Sequence, residues 1–181
     1  MSRAVQRNLV YESRIFDVEE CRFQTSTGET VDRSIVRHPG AVLIVPVLAD
    51  DQLVLIRNWR VAVEDALWEF PAGTLEPGEP PLATATRELT EETGYQAEVV
   101  RPLGTFFTSP GFADERMHVF EATGLVAGPQ QLEAHEEIEV QARSIDDVMQ
   151  MVVDGRLVDG KSIAALHLWR ARCIATEGSV N

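Results

Sequence analysis

One arginine and three glutamates stand close together in the middle of the sequence, at Arg87, Glu88, Glu91 and Glu92. In a helix, these three glutamates fall within about a quarter turn of each other, and Arg87 can pair with Glu91 four residues later. Close carboxylates repel one another unless a cation lies among them. Oxygen ligands of this kind suit Mg²⁺, with Mn²⁺ as the alternative. The competing interpretation of the same residues is a solvated acidic helix face.

The segment around these glutamates is expected to be a helix preceded by a turn. Pro80 and Pro81 suit a first helical turn, and Gly94 suits a C-terminal stop, so the helix should extend to about residue 93. The apolar stripe expected to face the core consists of Leu82, Ala85 and Leu89. The turn before the helix, residues 71–73, can offer a backbone carbonyl to the same cation.

The rest of the sequence predicts an α/β fold, with a mixed sheet covered by helices on both faces. Alternating apolar residues predict an N-terminal hairpin from residues 15–24 and 30–37. Further strands are expected at residues 41–48, 53–57, 67–70, 97–103, 115–122 and 138–142. Ser144 and Asp147 resemble a capping box that opens a helix ending near Gly155, and a last helix is expected over residues 162–176.

Residues 73–95 read GTLEPGEPPLATATRELTEETGY and resemble the Nudix box. That motif is a glycine, five residues, a glutamate, seven residues, and then Arg-Glu-apolar-x-Glu-Glu-x-Gly-apolar. Gly73, Glu79 and Gly94 fall in place together with the arginine and glutamates described above. Tyr95 departs mildly, because the motif usually has an aliphatic residue there. The resemblance implies an α/β/α sandwich with a mixed sheet and an N-terminal β-hairpin extension.

In the Nudix family the helix glutamates bind metal ions that bridge the phosphates of the substrate. The resemblance therefore implies that Glu88, Glu91 and Glu92 are metal ligands, that Ala72 offers its carbonyl, and that Arg87 orients the glutamates together with Glu79. The implied chemistry is metal-assisted attack of water on phosphorus. Glu91 or Glu92 could also activate the water through the metal.

Other segments resemble the branch of this family that cleaves ADP-ribose and nucleotide sugars. They read HPGAVLIVPV, NWR, WEFPAG, SPGFADE and DGKSIAAL. The implied reaction is hydrolysis of the pyrophosphate bond of ADP-ribose to AMP and ribose 5-phosphate. The alternatives are another nucleoside diphosphate sugar, a dinucleotide, or a non-catalytic nucleotide-sensing module. Asparagine at position 58 departs from the branch, which commonly has glutamine there.

Five residues in these segments are candidates for binding the substrate. Arg60 can pair with a phosphate through its planar fork. Trp59 offers a stacking face for adenine, although a tryptophan beside a strand is often a core residue. Glu69 could accept hydrogen bonds from ribose hydroxyls or be an edge-strand charge. Phe112 and Glu115 follow a Pro-Gly turn on a loop of the kind that contacts substrates.

A general base is expected on the acidic loop LEAHEEIEV, because several members of the branch carry a glutamate there. Glu133, Glu136 and Glu137 are the glutamates available before the following strand. Counting back from that strand favours Glu136. A solvated loop acid is the competing interpretation.

Residues 155–162, GRLVDGKS, match the phosphate-binding pattern GxxxxGKS letter for letter. That pattern needs a buried strand before it and small residues in the loop. Here a helix is expected before it, and Leu157 and Val158 occupy the loop. We therefore expect no nucleoside triphosphatase site at this segment.

The composition of the chain limits which partners and which cellular location are expected. The 181 residues carry a formal net charge of −13, which disfavours binding to nucleic acid. No apolar run approaches the ~20 residues of a membrane span, and two cysteines cannot form a disulfide framework. We therefore expect a cytoplasmic protein that binds a small nucleotide, with an N-terminal extension at residues 1–38 and a Nudix domain at residues 39–181. A hairpin outside the core needs a surface to cover, and in this branch it often packs on a second subunit, which implies a homodimer.

Overall fold

The computed structural model describes residues 5–49, 51–132 and 136–177. The first three strands, β1 (Val5–Glu12), β2 (Asp17–Gln24) and β3 (Thr30–Arg37), form a separate antiparallel sheet in the order β1-β2-β3. The predicted hairpin is therefore present as β2 and β3. A third strand, β1, extends it and was not predicted.

A larger mixed sheet forms the centre of the molecule. Its strands are β4 (Ala41–Leu48), β5 (Gln52–Arg60), β6 (Asp65–Glu69), β7 (Ala72–Thr74), β8 (Tyr95–Phe107), β9 (Arg116–Ala127) and β10 (Ile138–Ser144). The order is β10-β5-β4-β9-β8, with β6 paired to β5 and β7 paired to β4. β4 and β9 are parallel, and the other pairs are antiparallel.

Within the described residues, three helices cover the two faces of this sheet: α1 (Pro81–Thr93), α2 (Ile145–Val153) and α3 (Gly160–Glu177). Val42 and Ile44 pack with residues of α1, whereas Leu43 and Val45 pack with residues of α2 and α3. Because successive side chains of a strand point to opposite faces, α1 lies on one side of β4 and the other two helices lie on the other. The expected α/β/α sandwich is confirmed.

The ends of the helices follow the predicted signals. Gly94 ends α1 in a left-handed conformation with φ 74° and donates its N–H to the Thr90 carbonyl. The side chain of Ser144 accepts a hydrogen bond from the N–H of Asp147 at 3.2 Å, which caps α2 as expected. No helix in the described residues is long and apolar enough to cross a membrane.

The prediction that Leu82 faces the core was wrong. Its side chain is 49% exposed, although Ala85 and Leu89 are fully buried as expected. Burial on α1 begins only at Thr84. Leu82 has the right angle around the helix but lies in the first turn, before the part of the helix that packs on the sheet.

Candidate active site

Glu92 links α1 to the turn that precedes it. Its carboxylate Oε2 accepts a hydrogen bond from the N–H of Ala72 at 2.8 Å. The residue is only 4% exposed, so it lies within the buried arc of α1 rather than beside it. The bond brings the Ala72 backbone and the Glu92 carboxylate together, as a shared metal site requires.

Glu88 lies against the backbone of the short strand β7. A Cβ at Gly73 would be 2.0 Å from the Glu88 Oε1 and 2.0 Å from its Cδ. The position therefore requires glycine because the Glu88 carboxylate occupies the space that any other side chain would fill.

Arg87 holds three glutamates at once. Its Nη1 donates to Glu88 Oε1 at 2.8 Å and to Glu91 Oε2 at 2.8 Å, which confirms the predicted pair with Glu91. On its other side, Nη2 and Nε donate to the two oxygens of Glu79 at 3.2 and 3.3 Å. The hydrogen bonds from Arg87 lower the pKa of Glu79. Arg87 thus fixes the orientation of Glu88 and Glu91 without filling both oxygens of either.

Burial and crowding make this group of carboxylates hard to ionise. Burial is the main cause that raises the pKa of Glu92 to about 8. The charges of Glu88 and Glu136 act in the same direction, whereas the Ala72 N–H and the charge of Arg60 lower the pKa. Burial also raises the pKa of Glu88, while Arg87 opposes this effect. A cation among these side chains would remove the repulsion.

Glu136 belongs to the same electrostatic group. It is partly buried, and its charge contributes to the raised pKa of both Glu88 and Glu92. Gln130 fixes the base of its loop, because its side-chain amide donates to the carbonyls of Glu92 at 2.6 Å and Ile138 at 3.3 Å. Of the other two glutamates on this loop, Glu133 lies outside the described residues, and the side chain of Glu137 is exposed.

The donor set fits a partly hydrated divalent ion. Among the described residues, no three acidic, histidine or cysteine side chains already surround a common point. Within that part of the chain, one carboxylate oxygen each of Glu88, Glu91 and Glu92 accepts no hydrogen bond. Mg²⁺ is usually held by one or two carboxylates together with waters and substrate phosphates. These oxygens and the Ala72 carbonyl could hold such an ion.

Arg60 is the candidate side chain for binding a phosphate group of the substrate. Its Nε and Nη2 donate to Glu69 Oε1 and Oε2 at 2.7 and 2.6 Å. In the described part of the chain its Nη1 makes no hydrogen bond, and its charge lowers the pKa of Glu92. Glu69 is 1% exposed and also accepts from Lys161. Its predicted role as an acceptor for ribose hydroxyls stays a prediction.

Trp59 lies on the opposite face of β5 from Arg60. The two residues pair in regular register with Ala66 and Asp65, so their side chains point to opposite sides of the sheet. Trp59 is 56% exposed, so it is not a core residue. It lines a groove of about 480 Å³ with Glu137 and neighbouring residues. The residues that line this groove include none of the α1 glutamates, and the stacking role of Trp59 stays a prediction.

The loop of residues 109–115 is bound to the N-terminal sheet. Val36 donates its N–H to the Phe112 carbonyl at 2.8 Å, and Asp114 accepts hydrogen bonds from the Arg37 side chain and the His38 N–H, each at 2.9 Å. Phe112 itself is 59% exposed. Glu115 accepts from the Thr108 hydroxyl at 2.6 Å. The substrate roles of Phe112 and Glu115 stay predictions.

A cleft of about 770 Å³ lies between residues 13–17 and α1. Glu88 and Arg87 line one side of it, and Arg14 and Phe16 line the other. The N-terminal extension therefore borders the same carboxylates that α1 presents.

The GxxxxGKS segment has a structural role that its local sequence does not predict. It follows α2 and leads into α3, so it lacks the preceding strand that a nucleotide-binding loop needs. Lys161 instead pairs with buried Glu69, and Ser162 binds the backbone of Phe70. For Lys161, one available signal was that it is the only lysine in the sequence. The sequence also did not predict the role of Gln130.

Comparison with known proteins identifies the family. The family model described as the NUDIX domain matches residues 37–166. The chain belongs to the Nudix family. A solved structure described as an ADP compounds hydrolase superposes on this Nudix chain with a TM-score of 0.82 and 27% sequence identity, covering 97% of this chain and 96% of that one. The protein is a Nudix pyrophosphohydrolase, as the sequence motif indicated.

Two curated relatives match nearly the whole chain. The methanol dehydrogenase activator of Bacillus methanolicus is 35% identical over 91% of this chain and 90% of its own length. The ADP-ribose pyrophosphatase of Bacillus subtilis is 33% identical, with the same two coverages of 91% and 90%. Nudix hydrolases generally need a divalent metal ion, which agrees with the carboxylates of α1.

Proposed function

We propose that the protein hydrolyses ADP-ribose to AMP and ribose 5-phosphate with Mg²⁺. The observation that supports the proposal is that the charge of Arg60 lowers the pKa of Glu92, so that the two side chains lie within electrostatic range of each other. A nucleoside diphosphate needs both an arginine and a metal ion to offset its charge, most of all on a protein with a net charge of −13. The name of the Bacillus subtilis relative supports ADP-ribose as the substrate.

The residues of the site divide the work among them. Glu88, Glu91, Glu92 and the Ala72 carbonyl hold the metal, and Arg87 keeps the first two carboxylates in place. When bound, Mg²⁺ neutralises phosphate charge and lowers the pKa of water. Glu136 accepts the proton of the attacking water, since its partly buried carboxylate lies in the same electrostatic group.

The substrate's diphosphate binds the free Nη1 of Arg60. Trp59, Phe112 and Glu115 contact the base and the sugars. Because Trp59 faces away from Arg60 in one chain, a second copy is the natural source of a stacking surface. We therefore propose a homodimer. We also propose that each chain consists of an N-terminal extension at residues 1–38 and a Nudix domain at residues 39–181, and that the protein acts in the cytoplasm.

Product formation tests the proposal. The protein is incubated with ADP-ribose, ADP-glucose, GDP-mannose, NADH and diadenosine polyphosphates, each with Mg²⁺ or Mn²⁺, and the products are separated by chromatography. We expect AMP and ribose 5-phosphate from ADP-ribose to form fastest with Mg²⁺. Faster cleavage of another compound would replace ADP-ribose as the substrate and leave the hydrolase class intact.

A second candidate is activation of a dehydrogenase, which the name of the Bacillus methanolicus relative favours. A non-catalytic regulator has no need of metal-binding carboxylates, and all three are present in α1. If none of the compounds is cut with either metal, none of them is the substrate, and activation of a dehydrogenase becomes the next function to test.

A further inference from the structure

Glu69 is a buried carboxylate with two cations. It is 1% exposed and lies at the end of β6, three residues before Ala72. Arg60 donates two hydrogen bonds to it, at 2.7 and 2.6 Å. Lys161, from the first turn of α3, donates to Oε2, the same oxygen that accepts from Arg60 Nη2. A buried carboxylate with a single negative charge therefore serves two positive partners.

The start of α3 is fixed to β6 by a second contact. Lys161 lies 2.9 Å from Asp159, whose other oxygen accepts from both the N–H and the hydroxyl of Ser162. The Ser162 hydroxyl oxygen in turn accepts from the N–H of Phe70 at 2.8 Å. Ser162 is fully buried. Residues 159–162 thus hold both the side chain of residue 69 and the backbone of residue 70.

The charge of Lys161 changes what Arg60 can do. With Lys161 absent, the Arg60 guanidinium would be the only cation paired with Glu69 among the described residues, and the local charge would fall by one. An arginine that alone compensates a buried carboxylate is drawn to that carboxylate and attracts an incoming phosphate less. With Lys161 present, the carboxylate is shared, and Arg60 keeps a charge and the Nη1 nitrogen for the substrate.

We propose that Lys161 is a positioning residue that acts through Glu69 to keep Arg60 available to the diphosphate of the substrate. The inference rests on the proposed function for the identity of that ligand. It also gives a role to the single lysine of a chain whose other basic side chains are arginines.

Steady-state kinetics with ADP-ribose and Mg²⁺ test this role. We expect Lys161→Met to raise KM about tenfold, equivalent to about 1.4 kcal/mol of binding, while kcat changes less than about threefold, because Arg60 acts in binding the phosphates. Lys161→Arg restores the charge and should return KM to within about threefold of the wild type. An unchanged KM in Lys161→Met would overturn the proposal.

The matched control is Arg101→Met. Arg101 pairs with Glu121, a carboxylate that is 5% exposed and also accepts from Trp169 of α3. Like Lys161→Met, this substitution removes one cation from a buried glutamate. That glutamate, however, is not a partner of Arg60. We expect a comparable loss of thermal stability with an unchanged KM. An equal rise of KM in both variants would reduce Lys161 to a structural residue.

NMR tests the same arrangement without turnover. In protein labelled with ¹⁵N-lysine, the single Nζ signal should be observable in the wild type, because hydrogen bonds to Glu69 and Asp159 slow its proton exchange, and should disappear in Glu69→Gln. The Arg60 Nε signal, assigned with Arg60→Lys, should shift in Lys161→Met and not in Arg101→Met. If the wild type cleaves no nucleotide, the proposed function fails, and these signals alone decide whether Lys161 positions Arg60. An Arg60 signal unmoved by Lys161→Met refutes that role.

Discussion

Glu92 is a carboxylate whose burial and neighbouring charges both disfavour its ionised form. It is almost fully buried, and it lies near two other carboxylates, so ionising it without a metal is unfavourable. The pKa of Glu92 is about 8 in the folded chain, against an ordinary value of 4.5. Between pH 4.5 and pH 8, the folded protein therefore retains a proton that the unfolded chain has released. The stability contributed by this residue is therefore complete below pH 4.5 and is lost as the pH rises through 8.

Glu92→Gln should remove this pH dependence and abolish turnover. The neutral side chain has nothing to ionise, so the metal-free variant should melt at least about 2–4 °C above the wild type at high pH, with a smaller gain in mild acid. Turnover of ADP-ribose should be lost because a metal ligand is gone. Thermal melts in the presence of a chelator, together with product assays, measure both effects. Normal turnover would contradict the metal assignment.

Glu136→Gln separates the proposed base from the metal ligands. General bases contribute ~10²–10⁴ to the rate, so kcat should fall by at least about tenfold with little change in KM. Glu137→Gln is the matched control, because Glu137 is the next residue and its side chain is exposed. A loss of less than tenfold in Glu136→Gln would reject Glu136 as the base.

At the scale of elements, the site depends on how closely β7 and α1 approach each other. The three residues of β7 pair with β4, and α1 lies across them with Glu88 against Gly73. The sheet therefore fixes the backbone side of the site, and the helix brings the carboxylates to it.

Gly73→Ala tests this approach. The added methyl group would lie 2.0 Å from Glu88 Oε1, so the carboxylate has to move. A displacement of about 1 Å can reduce a rate about 10²-fold, and we expect a loss of that order in kcat/KM. Gly160→Ala is the control, because a Cβ there meets nothing within 4 Å. Equal activity in the two variants would show that the contact is dispensable.

The sequence predicted those elements whose signals are local. The run of apolar residues at β4 and the proline and glycine signals of α1 placed both elements within a residue of their ends. β7 was missed because three residues carry no periodicity, and only pairing with β4 makes them a strand. β1 was missed as well; all of its residues are exposed, so no buried face marks it.

The candidate site was predictable to the same extent. The glutamates share one helix, so their proximity follows from spacing alone. The pairing of Lys161 with Glu69 joins residues 92 positions apart, and no local pattern reveals such a contact. Trp59 and Arg60 are neighbours in sequence, which predicts a shared site, yet strand geometry separates their side chains.

At the scale of the whole molecule, the N-terminal sheet leaves apolar side chains in solvent. The exposed apolar residues in this region are Val5, Leu9, Val10, Tyr11, Ile15 and Phe16. Contiguous exposed apolar surface commonly marks a protein interface. This surface is the one that we expect a second copy of the chain to cover.

Sedimentation velocity at micromolar concentration tests the dimer. We expect the wild type to sediment as a dimer and Leu9→Glu to sediment as a monomer, because a charge at this half-exposed leucine opposes burial. Val153→Glu, at a 79% exposed valine on α2, should remain dimeric. A monomeric wild type would contradict the prediction.

The parallel pairing of β4 with β9 also bears on how the chain folds. It joins Ala41 to Met117, so the whole Nudix motif, residues 73–95, lies inside the loop that this pairing closes. The entropy cost of closing a long loop arises before the stabilising contacts between its ends can form. Proteins dominated by such pairings therefore fold slowly. β7 is held on β4 as well. During refolding, metal binding should therefore be among the last properties to return, after helical structure has already formed.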